Sequence, residues 1–232
     1  MRLPRELVLK ELGIAPVWRL RRQTAGDAPG EAADAGEADR RSRILQMDWA
    51  QLKEAVANCT ACDLHKTRTQ GVFGVGDEKA EWLIIGEAPG ADEDAQGEPF
   101  VGQAGKLLDA MLAAIGLKRG ENVYIANVLK SRPPGNRNPT PEEVAACMPY
   151  LERQIQLIRP KIILALGRFA AQSLLHTDEA IGRLRGRVHR YQGIPLVVTY
   201  HPAYLLRNLP DKEKAWEDLC LARETMNNTK TD

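Results

Sequence analysis

The chain has 232 residues, 44% of them hydrophobic and 27% charged, and a formal net charge of +1. Such a chain is long enough for one domain with its own core plus tails, without disulfide or metal staples. The balance excludes a globally basic or acidic chain, so a nucleic-acid surface would have to come from a local patch. No apolar run approaches the roughly 20 residues that span a bilayer.

The N-terminus, Met1-Arg2-Leu3-Pro4-Arg5-Glu6, is charged from its first turn and lacks a signal-peptide apolar core, so a cytoplasmic protein with no membrane contact is expected. Leu3, Leu7, Leu9, Leu12 and Ile14 have partly helical spacing, and positions 1–22 carry six Lys/Arg against two Glu. This segment reads as an N-terminal arm, either a loose tail or a short helix that docks on a partner. Residues 23–45 are dominated by Ala, Gly, Asp and Glu, with little to bury, and predict a disordered linker.

The domain proper is expected over 46–228. Asp48, with Gln51 at the capping-box position, opens a helix to about Asn58. Cys59 and Cys62 follow as C-x-x-C, and 66–78 is Gly-rich and reads as loop. The apolar run 82–85 predicts a buried strand, stopped by Gly86-Glu87-Ala88-Pro89-Gly90. Residues 104–116 predict a helix ending at Gly116, and 123–129 a strand holding Asn127. After a loop dense in Pro, Gly and Asn, Thr140 caps a helix to about Arg159. A strand at 161–167, a short helix at 168–175, two strands within 183–200 and a helix over about 211–226 complete the chain. Strands alternating with helices predict an α/β domain with a mainly parallel sheet.

Ligands in such sheets bind beyond the carboxyl ends of the strands. Glu87, Asn127 and His201 stand at or near three such ends, so a carboxylate, an amide and an imidazole could share one crevice. Each alone reads as an ordinary turn or strand residue, and it is their recurrence at strand ends that points to function. Arg183, Arg185, Arg187 and Arg190 cluster beside His189, and Lys130, Arg132 and Arg137 flank the Pro-rich loop. These patches suit phosphate contacts, or simply a solvated basic face.

Four motifs, GEAPG-x-x-E-D, G-x-P-F-V-G, the Asn strand followed by K-x-R-P-P-x-N-R, and H-P-A-Y-L-L-R, together resemble the family 4 uracil-DNA glycosylases, the iron–sulfur members of the uracil-DNA glycosylase superfamily. The resemblance runs over about 55–226. It implies a three-layer α/β/α sandwich with a central, mainly parallel four-stranded sheet, acting on uracil in single- or double-stranded DNA as a monomer. It implies that Phe100 stacks on the extruded base, that Asn127 pairs with the uracil edge, and that backbone amides from Gly86 to Ala88 bind a carbonyl oxygen. Glu87 is the first choice for the acid that handles water, Glu93 the second, and His201 the donor to the departing base. Family 1 enzymes carry an Asp at the position of Ala88, so that carboxylate is missing here. Leu205 or Leu206 would wedge the base stack, with Arg207, Arg132, Arg137, Arg185 and Arg187 on DNA.

Family 4 enzymes hold a [4Fe–4S] cluster with four cysteines. Cys59, Cys62 and Cys147 match three of them, Ser131 stands at the other position, and Cys220 lies outside the pattern. Three readings stay open: Ser131 as a ligand, three thiolates with another fourth ligand, or loss of the cluster. The alternative to an enzyme is a weakly active or non-catalytic DNA-binding module of the same fold that serves a replication or repair protein through its N-terminal arm; a glycosylase for another deaminated base is a third reading.

Overall fold

Helix and strand positions come from a computed structural model that describes residues 29–229. The arm read at 1–22 lies outside the described residues. The chain divides at Arg40/Arg41, and the sheet belongs to the unit that begins at Arg41. Part of the expected linker, Pro29–Ile44, is instead a helix, α1. Its Ala- and Glu-rich composition matches a linker and a helix former equally well, because Ala and Glu have high helix propensity with or without an apolar stripe. Ile44 is buried with Leu52, Val56 and Tyr150.

Helix α2 (Trp49–Ala57) begins at Asp48, whose side chain accepts from the Gln51 amide while Gln51 Oε1 accepts from the Asp48 amide. The sheet is built from β1 (Val75–Gly76), β2 (Trp82–Gly86), β3 (Val123–Asn127), β4 (Ile162–Leu166), β5 (Val188–Tyr191) and β6 (Ile194–Thr199). Their order is β1-β3-β2-β4-β6-β5. β3, β2, β4 and β6 run parallel, and β1 and β5 close the two edges antiparallel. The sheet therefore has six strands, not the expected four. The four predicted by resemblance are its parallel centre. β1 is only two residues long inside a Gly-rich stretch, and so leaves no apolar alternation to read.

Every residue of β2, β3 and β4 is buried, as parallel strands covered on both faces require. Alternate residues enter opposite cores. Leu83, Ile85, Ala126 and Ala165 pack with α5 (Pro141–Ile158) and α6 (Arg168–Leu175). Ile84, Ile125, Leu164 and Val197 pack with α4 (Gln103–Ala114) and α9 (Lys212–Asn228). Three layers result, helices on both sides of one sheet. Two short helices, α7 (Ile181–Leu184) and α8 (Pro202–Leu205), lie near β5 and β6 in the chain, and α3 (Ala91–Gln96) follows β2. Among the described residues no helix is long and apolar enough to cross a membrane.

Leu164, on the central strand β4, has no exposed surface. Leu164→Ala is expected to lower unfolding free energy by about 3 kcal/mol through lost burial and a residual cavity, checked by urea denaturation.

Candidate active site

The parallel register sets Gly86 of β2 beside Asn127 of β3 and aligns Leu166 of β4 with Thr199 of β6, so these strands end at one side of the sheet. A cavity of about 420 Å³ opens there, lined by Glu87, Phe100, Asn127, His201, Tyr204 and Arg207 among others. The carboxylate, amide and imidazole predicted at separate strand ends thus meet in one pocket. Gly86 allows a close approach: a Cβ there would lie 2.4 Å from Asn127 Oδ1 and 2.6 Å from the Phe100 ring. Asn127 is buried, and its Oδ1 has no hydrogen-bond partner among the described residues. A buried acceptor without a donor is costly, so it fits a site completed by a ligand N–H.

His201 follows β6 and caps α8, accepting the Ala203 amide at Nδ1 over 3.1 Å. A backbone N–H can only donate, so Nδ1 is unprotonated and a neutral ring carries its proton on Nε2. The ring leaves only a partly accessible edge, and burial pulls its pKa down to about 4, with Arg207 adding to the effect. Glu87 is shifted the other way. Burial raises it to about 7, and the positive charge of Arg168 opposes the rise. At neutral pH the pocket therefore holds a neutral imidazole donor and a carboxylate poised to titrate. Gly167, at φ 89, sits under His201; a Cβ there would come within 2.9 Å of the His201 Cβ.

Phe100 lies in the left-handed region at φ 58, is buried, and stands 5.4 Å from the His201 ring, tilted by 31°. For a bulky side chain this backbone is strained by on the order of 1–3 kcal/mol and must be held by its surroundings. Glu93 is part of that hold. It accepts the amides of Gly90 at 3.0 Å, Val101 at 3.0 Å and Gly102 at 3.3 Å. Glu93 also lines the cavity, but its oxygens are occupied with the loop, which leaves Glu87 as the carboxylate that faces the pocket without such a role.

Several of the expected basic contacts are committed to the fold. Arg185, 15% exposed, donates to Asp218 Oδ2 at 3.0 Å, Glu217 Oε2 at 2.9 Å and the Lys214 carbonyl at 2.6 Å, which pins α9 and removes it as a phosphate ligand. Arg137 lines the cavity but makes a two-pronged contact with buried Glu143 at 2.5 and 2.9 Å. Arg187 lies 3.5 Å from Glu179, and Arg132 donates to Asn136 Oδ1. Lys130, expected in the basic patch, is fully buried instead. Its Nζ donates to the Asn127 carbonyl at 2.8 Å and Gln154 Oε1 at 2.7 Å, and burial lowers its pKa to about 7. Of the two candidate wedges, Leu205 is buried in the core and Leu206 is 42% exposed, so only Leu206 can reach outward.

The cysteine positions fall on two packed segments. Cys62, partly exposed, packs with buried Cys147. Their thiols interact: Cys147 and its hydrogen bond lower Cys62 to about 6, while Cys147 is itself raised. Arg68 ties the other two positions, donating to Ser131 Oγ at 2.8 Å and to the Cys59 carbonyl at 3.0 Å. The three thiols suit an iron–sulfur cluster in donor type, but only Cys62 and Cys147 meet, and no group of three His, Cys, Asp or Glu among the described residues is gathered as a metal site. Ser131, a hard oxygen donor already engaged by a guanidinium, does not match the fourth.

Comparison with known proteins agrees with this geometry. The profile of the "Uracil DNA glycosylase superfamily" matches residues 73–220. The Type-4 uracil-DNA glycosylase of Archaeoglobus fulgidus is 54% identical over 159 residues, 65% of this chain and 79% of its own. Those of Thermotoga maritima and Pyrobaculum aerophilum are 46% and 44% identical, over 68% and 75% of this chain and 82% and 93% of theirs.

Proposed function

The chain belongs to the uracil-DNA glycosylase superfamily, with the type-4 enzymes, and from that premise we propose that it excises uracil from DNA by hydrolysing the N-glycosidic bond of deoxyuridine. The observation that carries the reading is the orphaned Asn127 Oδ1 in a pocket that also holds Phe100, His201 and Glu87.

The base must leave the stack to reach this cavity. On entry Phe100 stacks on its face, the Asn127 amide pairs with the O4 and N3–H edge, and the backbone amides about Gly86 and Ala88 receive a carbonyl oxygen. The cytosine edge reverses donor and acceptor and would leave Asn127 unpaired. As the C1′–N1 bond breaks, positive charge builds on the sugar and negative charge on uracil. The Glu87 carboxylate faces the sugar and holds the water whose oxygen bonds to C1′. Neutral His201 donates from Nε2 to the developing anion on uracil O2, which needs no proton uptake because the ring is uncharged. The leaving base takes up a proton, and free uracil and an abasic sugar remain. None of the cavity-lining side chains among the described residues is a lysine, which supports a monofunctional hydrolase. Leu206 is the wedge on this reading, and Arg207 at the mouth meets the backbone.

Cys59, Cys62 and Cys147 would hold the cluster, with an exogenous group as the fourth ligand. Bound there, the cluster supplies a cross-link between loops, since hydrolysis transfers no electron. Purified protein is expected to contain iron and sulfide with the absorbance of a [4Fe–4S] centre, and Ser131→Cys to resist loss of iron to a chelator better than the natural chain. Iron-free protein that gains none on reconstitution would contradict this.

Uracil release from a single-uracil oligonucleotide tests the enzyme reading. Glu87→Gln and His201→Ala are each expected to lose on the order of 10²–10³ in single-turnover rate. The reactive form of Glu87 is the carboxylate and its pKa lies at about 7, so the rate should rise with pH up to about 7 and level off above. His201, neutral above about 4, should add no limb in that range. Absence of uracil release above a blank would leave a DNA-binding module instead; full activity in both variants would remove the site assignment.

A further inference from the structure

Phe100 presents a problem that its own sequence neighbours do not solve. Its ring has to face the pocket from a left-handed backbone that a bulky residue avoids. Two groups grip this peptide from opposite sides. Glu93 takes the amides that follow it, those of Val101 and Gly102. Arg119, in the turn between α4 and β3, takes the carbonyls: Nη1 donates to Pro99 O at 3.0 Å and Nη2 to Phe100 O at 2.9 Å. Arg119 is itself oriented by Asp109 of α4, whose Oδ1 accepts from Nε at 2.9 Å. The same helix comes close under the turn at Gly105, where a Cβ would lie 1.8 Å from the Phe100 carbonyl oxygen.

We propose that Arg119 is a positioning residue for uracil binding, acting through Phe100 by fixing the two carbonyls of the strained turn so that the ring stacks on the extruded base. The inference deepens the uracil reading and rests on it. Arg119 is well placed for such a role. Its rigid planar fork holds two adjacent carbonyls in one fixed geometry, which the freely rotating donors of an ammonium do not impose. Its side chain is 24% exposed, and Arg119→Met keeps most of the aliphatic stem while removing the fork. Because the grip is on backbone, it holds the ring in place whatever contacts the ring makes.

The inhibition constant of free uracil, measured against cleavage of a uracil oligonucleotide, separates positioning from general destabilisation when read in a double-mutant cycle. Arg119→Met is expected to raise it by on the order of tenfold, with affinity for uracil-free DNA within about twofold of the natural chain. Phe100→Ala should raise it at least as much. The double variant should match Phe100→Ala alone, because Arg119 has nothing left to position. An Arg119→Met effect that persists undiminished in the Phe100→Ala background, or an unchanged constant in folded Arg119→Met, overturns the proposal. An unchanged constant in Phe100→Ala overturns the stacking reading on which the proposal stands. If Arg119→Met does not fold, Arg119→Lys serves in its place: it keeps the charge but not the two-carbonyl fork, and a threefold or larger rise that vanishes with Phe100→Ala is expected.

Discussion

At Gly86 three segments of the chain close to van der Waals contact. The last residue of β2 lies against the Asn127 amide on one side and the Phe100 ring on the other, with no room for even a methyl group. The pairing of β2 with β3 delivers Asn127, the loop past α3 delivers Phe100, and the turn that begins at Gly86 delivers Glu87. Parallel pairing continues through β4 to β6 and brings His201 to the same side. A Gly86→Ala change would push on two groups of the pocket at once, which is why a strand otherwise made of Trp, Leu and Ile ends in glycine.

The same enclosure sets the charges. Burial disfavours whichever form is ionised, so it raises Glu87 and lowers His201. One physical cause thus produces the two opposite shifts that this chemistry uses: a carboxylate that titrates near neutrality and an imidazole that stays neutral. The Nδ1 contact with the Ala203 amide then selects which nitrogen keeps the proton. Lys130 braces the same strand end: its Nζ donates to the Asn127 carbonyl and to Gln154, and Gln154 in turn donates to the Phe73 carbonyl.

Glu87, Asn127 and His201 were legible in the sequence because each follows or ends an apolar run, and a strand end is a position that a pattern can locate. The central parallel strands and the capped helices were legible for the same reason. What could not be read is what depends on partners distant in the chain. Lys130 and Arg185 look like surface cations until Gln154 and Asp218 enclose them. Leu205 and Leu206 are neighbours of the same type, and only the packing of α8 separates the buried one from the exposed one. Arg119 acts on main-chain carbonyls, which leave no mark in a side-chain motif. Ser131 was visible as a departure from the cysteine pattern, but its hold on Arg68 was not. β1 is too short for any periodicity.

The central claim is that the Asn127 amide reads the base, and discrimination between uracil and cytosine tests it most directly. Single-turnover excision from otherwise identical strands should favour uracil by at least about 10⁴ in the natural chain, because cytosine leaves a buried amide unpaired. In Asn127→Ala the uracil rate should fall and the preference should collapse by on the order of 10² or more. An Asn127→Ala protein that separates uracil from cytosine as sharply as the natural chain would contradict the account.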